Sequence, residues 1–581
     1  MKTESKNKST KLCLFRELYE TARGAIEDYH RELDRYMNQY KGSDEIDGSS
    51  ERATTVRNIT YELIESQVSS DIPISKIDPY TYSEHHAKNA GAVQRLCTAV
   101  RSYLPFEQIN DLDERYTYIY GGSVFLVEWN NSLNFGADRG GAVVHLLSPK
   151  SFIPQPGITE IEDMEYCFLV FTTTRSEVMR RYGICAEEAK GLDCEYSYGD
   201  AMTDTDAVRV VMAFYKDKSG EVGQYVFSNE VELLDLPAYY KRKVRVCSSC
   251  ALEEGQCECA SPDFKVHDLE REFVRDGIKH LEKEVGGTFV PYYTPKRFPI
   301  VIRKNTTTDD LVFGQSDCAF IRHEQQAINK IESRILQKLL RAGITPVMPE
   351  DATLTLTSSV FGQVIRMKPG ESIDQYGKID TTPDVTLDIK EAERLYDQAK
   401  RTLGISDAYQ GIDTASNESG YAKQLRISQA NSRLESKKKM KYAAYAEIDR
   451  LIFEHYLAFA DQPRQMSYKD SYGRVHNEQF NRYDFLEFDK RTGKVYYDDA
   501  FLFSVDLNGG TDYQREELWQ RNLENLRSGT LGDLNSPVTL LRYWQSQERA
   551  HYPYARENVE YFTDIVENEK KGEKKNEESE E

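Results

Sequence analysis

Four cysteines in one short stretch, Cys247, Cys250, Cys257 and Cys259, are the sharpest chemical signal in this sequence. Cys-x2-Cys is followed, after Ala-Leu-Glu-Glu-Gly-Gln, by Cys-x-Cys, so a tight hairpin would bring two thiol pairs together. Two such pairs suit tetrahedral zinc, with Zn–S at about 2.3 Å. The same residues also read as a Cys-rich surface hairpin with reduced thiols, because the second pair is closer than the usual Cys-x2-Cys and the link between the pairs is short. Zinc held there would be structural Zn2+ stapling an exposed insertion at 240–262, since four thiolates leave no open position for water. The other cysteines are scattered, which fits a reducing compartment better than a disulfide framework.

No catalytic constellation accompanies the cysteines. The sequence lacks G-x4-G-K-[ST], the phosphate cradle of a P-loop motor. His323-Glu324 has no second His four positions after the first, which removes the zincin pattern, and no G-x-S-x-G elbow occurs. With 96 Asp and Glu, acidic pairs close in sequence arise by chance, so a metal-dependent nuclease stays a rival without named residues. The expectation is a non-enzymatic chain with no catalytic residue and no required cofactor.

The elements that would position a functional site are clearest from Phe298 to Ala460. A helix opens at the cap Ser316-Asp317 and carries Ile321, Ile328, Ile331, Ile335 and Leu339 at helical spacing before Gly343. At 1.5 Å per residue it is about 40 Å long. Thr345 to Thr386 predicts short strands and turns, with Thr-Leu-Thr-Leu-Thr at 353–357, Gln363 to Met367, and Lys368-Pro369-Gly370. A second helix runs from Asp388 with Ile389, Ala392, Tyr396, Ala399 and Leu403 on one face, and Gly404 ends it. Residues 406–420 are polar and aperiodic, which predicts a mobile loop. Tyr421 to Ala460 then runs without Gly or Pro and carries Lys423, Arg426, Arg433, Lys437, Lys438, Lys439 and Lys441.

This order of helix, β insert, helix, polar loop and long basic helix resembles the portal proteins of tailed bacteriophages, the head-to-tail connectors of long-tailed phages. The resemblance extends over most of the chain. Arg57 to Glu65 with Asp71-Ile72-Pro73 is similar to the start of the family's wing domain, and Gly121-Gly122-Ser123 to Val127, Val143 to Pro149 and Phe152-Ile153-Pro154 resemble its central strands. Pro299-Ile300-Val301 leading to Phe313-Gly314-Gln315-Ser316-Asp317 resembles the approach to the first stem helix. Phe501 to Leu507, Asn508-Gly509-Gly510-Thr511, and the helices Arg515 to Arg527 and Ser536 to Ser546 resemble a last wing strand and a crown.

The resemblance implies an α+β portal fold that forms a ring. Its parts would be an N-terminal helical arm (1–50), a mixed wing (51–315), stem helix (316–343), β-containing clip (344–387), second stem helix (388–404), tunnel loop (405–420), long helix with the rest of the wing (421–511), helical crown (512–566) and a disordered charged tail (567–581). It implies a dodecamer at one capsid vertex of the virion, assembled in the bacterial host cytoplasm and conducting double-stranded DNA in packaging and ejection. Terminase, head-completion adaptor, major capsid and scaffold proteins are the implied partners. Lys330, Arg334, Lys338 and Arg341 on the first stem helix are the candidate DNA-channel cations, with solvated or subunit-contact charge as the alternative. Gln410, Asp413, Ser416 and Asn417 are the candidate tunnel-loop residues, with an ordinary surface connector as the alternative. Lys437-Lys438-Lys439 turns through more than half a helical turn, so one DNA partner cannot meet all three, and solvent or acidic neighbours suit them better.

Composition sets independent limits. A chain of 581 residues can hold more than one core, and 39% hydrophobic with 11% aromatic content is that of an ordered protein. A mean hydropathy of -0.65, with no apolar run near 20 residues and no signal-peptide core in MKTESKNKST, gives no expectation of a membrane partner. The net charge of -21 disfavours a duplex clamp but suits a conduit, since a dodecamer would carry about -250 and its acidic walls would keep a polyanion from sticking. A zinc-knuckle nucleic-acid adaptor is the rival that this charge counts against. Leu14 to Tyr40 predicts an amphipathic helix that packs on the wing or meets a capsid partner, and Tyr543, Trp544, Tyr552, Tyr554 and Tyr561 predict aromatic packing in the crown.

Overall fold

Apolar residues recur at period two in some segments and at helical period in others, and the result is an α+β fold. The computed structural model describes residues 2–43, 55–81, 83–135, 138–196, 206–241, 243–247, 264–268, 293–309, 311–341, 344–347, 355–359, 362–366, 377–380, 384–405, 420–460, 463–469, 475–489, 491, 494–505, 512–533 and 536–549, and between 550 and 581 residues 552, 555, 558–559, 561–563 and 565–566.

The chain opens with α1 (Lys2–Lys41), α2 (Ile59–Glu65), β1 (Ser75–Pro79), α3 (Glu84–Tyr103) and α4 (Phe106–Tyr120). Strands β2 (Gly122–Phe135), β3 (Asp138–Leu147), β4 (Phe152–Pro154) and β5 (Tyr166–Thr174) lead to α5 (Arg175–Tyr182). After it come β6 (Asp193–Tyr196), β7 (Ala207–Lys216), β8 (Val222–Ser228), β9 (Val231–Leu236), β10 (Lys243–Cys247), β11 (Phe264–Asp268) and β12 (Ile300–Lys304). Helices α6 (Asp317–Phe320) and α7 (Arg322–Arg341) are separated from α8 (Thr386–Leu403) by β13 (Ile344–Val347), β14 (Thr355–Ser359), β15 (Gly362–Arg366) and β16 (Gly377–Asp380). The long α9 (Gly420–Phe459) precedes β17 (Arg464–Lys469), β18 (Val475–Phe480), β19 (Leu486–Asp489), β20 (Lys494–Tyr497), β21 (Phe501–Val505), α10 (Asp512–Arg527) and α11 (Pro537–Arg549).

The largest sheet is antiparallel in the order β4-β5-β7-β8-β9, with β6 also on β7. Its alternating residues feed two different cores. Val210, Met212, Phe214 and Val226 join the main core, whereas Val211, Ala213, Tyr225 and Phe227 face α1. Phe15, Tyr19 and Ala22 of α1 cover that second face, with Phe15 stacked on Tyr225 at 4.8 Å and Tyr19 edge-on to Phe168 at 5.5 Å. A sheet covered on both faces explains why β8 is buried along its whole length.

A second sheet, β12-β2-β3, carries the other wall of the main core. The C-terminal half of α9 threads between its neighbours, burying Tyr445, Ile448, Leu451, Ile452, Phe453, Tyr456 and Leu457. A helix buried around most of its circumference is an interior helix, and each of these apolar side chains contributes about 1.5–3 kcal/mol, while the buried Asp449, Glu454 and His455 share the same stretch. β1 pairs with β21 in antiparallel register from Ser75↔Val505 to Pro79↔Phe501, which ties the early chain to its late strands. Trp519 of α10 packs edge-on to Tyr552, just beyond α11, at 5.1 Å, and within α11 Gln547 Nε2 donates to Tyr543 Oη at 2.9 Å. Among the described residues no helix is long and apolar enough to cross a membrane.

Candidate functional site

The paired helices α7 and α8 and the base on which they stand are the part of the molecule that the sequence marks for function. Of the apolar stripe on α6–α7, Ile321 and Ile328 are fully buried, packed with Ala399 and Leu403 of α8, Ile405, and Ile59 and Leu63 of α2. The stripe does not stay buried. Leu339 and Leu340 at the end of α7 are 52% and 68% exposed, and Leu387 and Ile389 at the start of α8 are 77% and 44% exposed. The pair therefore has a closed base and an open apolar tip.

Two backbone crossings fix that base. Gly121 ends α4 at φ +90, and a Cβ there would lie 2.5 Å from the Gly314 carbonyl oxygen. Gly314 has φ +79, and its Cβ would lie 2.5 Å from the Thr306 oxygen. Only glycine permits both the left-handed backbone and the close approach. Ser316 then caps α6, its Oγ accepting from Cys318 N at 3.0 Å and donating to Ile119 O at 2.5 Å. Gln325 of α7 accepts from Thr60 N at 3.0 Å and donates to Arg57 O at 2.8 Å, while Gln39 of α1 donates to Thr60 Oγ1 at 3.0 Å and Cys318 O at 3.1 Å. These amide contacts staple α1 and α2 to the helix pair.

A buried charge cluster joins this base to α9. Asp317, in the first turn of α6, is fully buried and accepts from Lys437 Nζ at 2.6 Å, Asn305 Nδ2 at 2.7 Å and Gln67 Nε2 at 3.0 Å. A carboxylate at a helix start also meets the positive end of the helix dipole. One turn along α9, Lys441 Nζ lies 3.1 Å from Glu114 Oε1, and Arg303 Nη1 lies 2.8 Å from the same atom and 2.5 Å from Asp113 Oδ2. Ser123 Oγ donates to Asp113 Oδ1 at 2.5 Å. Burial pushes the Glu114 carboxyl up, but Arg303 and Lys441 together hold it below its usual range. For Lys441 burial wins, and its ammonium sits below the ordinary lysine value. Three cations thus face three carboxylates in a polar knot, and Glu114, Arg303 and Lys441 of it line a cavity of about 20 Å³, which is room for about one water. Such a knot adds little net stability, but removing one member leaves an unpaired charge.

The predicted site residues fall in three groups. Arg334 and Lys338 both bind Asp388 in the first turn of α8, and Lys338 above all holds that carboxyl below its usual range. Lys330 is exposed on α7, and the side chain of Arg341 is outside the described residues. Gln410, Asp413, Ser416 and Asn417 lie outside the described residues, as do Cys250, Cys257 and Cys259. Cys247 ends β10, opposite Phe264 of β11, so the chain leaves and returns at one place around residues 248–263. The Lys437–Lys439 run divides, with Lys437 on Asp317 and Lys439 on Glu435 one turn away at 3.0 Å.

Sequence reasoning missed Arg303, Asp113, Glu114 and Asp317 as one network. The available signal was Arg303 inside the apolar run Ile-Val-Ile-Arg-Lys, since a charge on a buried strand requires an acidic partner.

No family model matches the chain, and no curated protein matches it. Among solved structures the chain is similar to one described as the virion of native gene transfer agent (GTA) particle, at a TM-score of 0.38 and 9% identity, over 88% of this chain and 93% of that one.

Proposed function

We propose that this chain is a phage portal protein whose copies form a dodecameric ring at one capsid vertex, through which double-stranded DNA is packaged and ejected. The observation that carries this reading is the α7–α8 pair, closed at its base by α2 and open at its tip, where Leu339, Leu340, Leu387 and Ile389 are exposed. Exposed apolar side chains gathered at one end of a helix pair favour a partner surface. In a closed ring the same pair from the next subunit supplies that surface. The α7 and α8 helices then line or brace the channel, and the segment holding β13 to β16 offers the docking surface for terminase and later the head-completion adaptor. Residues 405–420 narrow the bore. Terminase supplies the energy, in keeping with the missing P-loop motif.

Native mass spectrometry with negative-stain images of the purified chain tests this reading. A ring of about a dozen subunits with a central hole is expected. A monomer that persists with scaffold and capsid proteins present overturns it, as does metal-dependent DNA cleavage abolished by a point change.

A further inference from the structure

Away from the helix pair, three side chains from distant parts of the chain converge on one point. His86 is in the first turn of α3, Glu487 is on β19, and Asp498 follows β20. His86 Nε2 lies 2.8 Å from Glu487 Oε1 and 3.5 Å from Asp498 Oδ2, and one ligand atom from each residue falls within 4.8 Å of the others. Ligands held about 2.1 Å from a shared cation stand about 3.0–3.4 Å from each other in octahedral or tetrahedral geometry.

The opposite side of each ligand is already occupied. His86 Nδ1 is 2.6 Å from Ser83 Oγ, Tyr496 Oη donates to Glu487 Oε2 at 2.8 Å, and Ala500 N donates to Asp498 Oδ1 at 3.2 Å. These outer partners orient Nε2 and the inner carboxylate oxygens toward the shared point, as the second shell of a metal site does. The three side chains are 19%, 29% and 11% exposed, which leaves access for waters to complete a coordination sphere. A cation near the start of α3 opposes the helix dipole, but two carboxylates outweigh that partial charge.

We propose that His86, Glu487 and Asp498 bind one divalent transition cation of the zinc type, which clamps the start of α3 to the β19–β20 pair across 401 residues of sequence. The imidazole ligand favours zinc over magnesium or calcium, which take oxygen ligands. Binding displaces any proton on Nε2 to solvent, and no other bond changes.

The full chain is dialysed against Zn2+ and its bound metal is counted, in a background with Cys247→Ser, Cys250→Ser, Cys257→Ser and Cys259→Ser so that thiolate zinc does not enter the count. One zinc per chain at micromolar free metal is expected, with at least tenfold weaker binding after His86→Gln and after Asp498→Asn. The metal-free melting curve and circular dichroism of each variant establish that it folds, and Glu487→Gln replaces any that does not. Equal zinc content and affinity in parent and folded variants overturns the site. Retention only at millimolar zinc overturns it equally.

Discussion

Lys437 Nζ lies 2.6 Å from Asp317 Oδ2 and 2.8 Å from Oδ1, so the long helix and the first turn of the helix pair share one ion pair across 120 residues. Its two ends are unequally sheltered, because Asp317 is fully buried and the Lys437 side chain keeps 14% of its exposure. Lys437→Met therefore strands a carboxylate with no access to water, whereas Asp317→Asn leaves an ammonium that can reach solvent. We expect Lys437→Met to cost about 3–5 kcal/mol and Asp317→Asn less. Urea denaturation of both variants and of the double variant measures this, with a coupling of about 1–3 kcal/mol expected. Equal costs that simply add would show that the pair does not link the two helices.

A pH dependence is built into the buried end of α9. Burial raises the Glu454 carboxyl to about 7, with Arg297 and Arg450 pulling the other way, and burial lowers the His455 imidazole to about 4. A carboxyl with a raised folded value contributes stability that is present below its ordinary 4.5 and is lost as pH rises through about 7. His455 has the opposite sign, since its contribution is present above 6.5 and is lost as pH falls toward about 4. Glu454→Gln should thus match the parent near pH 5 and exceed it near pH 8, by up to about 3 kcal/mol. Melting curves from pH 5 to 8 test the sign, and a variant less stable than the parent at pH 8 refutes it.

Much of the helix pair was legible because its signals are local. Ser316 caps where the cap residue predicts, Gly404 ends α8 with a left-handed backbone at φ 77, and the stripe residues Ile321 and Ile328 are in the core. Leu14 to Tyr40 reads as a helix for the same reason, and α1 uses that periodicity to cover a sheet face. The stripe's far end was not legible. Periodicity gives a face but not the length over which a neighbour covers it, so Leu339 and Ile389 read like Ile328 although they are exposed. The charge knot was hidden because its members come from four separate segments, and only the packed fold brings Asp113 and Glu114, Arg303, Asp317, and Lys437 and Lys441 together.

The crossing at Gly314 separates backbone strain from steric conflict. Gly157 has almost the same backbone, φ +80, but nothing lies within 4 Å of its would-be Cβ, while at Gly314 the Thr306 oxygen is 2.5 Å away. Gly157→Ala should cost only the left-handed penalty, about 1–2 kcal/mol. Gly314→Ala adds a clash with a carbonyl that cannot swing aside, and we expect about 3 kcal/mol or more, with loss of the Gln315 N to Thr306 O bond of 2.8 Å. Chemical denaturation ranks the two, and similar costs would mean that the base of the helix pair is free to shift.

The open tip of the helix pair distinguishes a subunit contact from an idle surface. Leu340 and Leu387 are 68% and 77% exposed in the single chain, so Leu340→Glu and Leu387→Glu should change its stability by no more than about 0.5 kcal/mol. In a ring that buries these side chains against the neighbouring pair, each copy would instead place a desolvated carboxylate in an apolar contact, repeated at every interface. Melting temperature and native mass spectrometry on the same samples separate the two effects. Unchanged melting of the monomer with loss of the ring is the expected result. Rings that form as readily with both glutamates present would remove the α7–α8 tip from the interface and require the subunits to meet elsewhere.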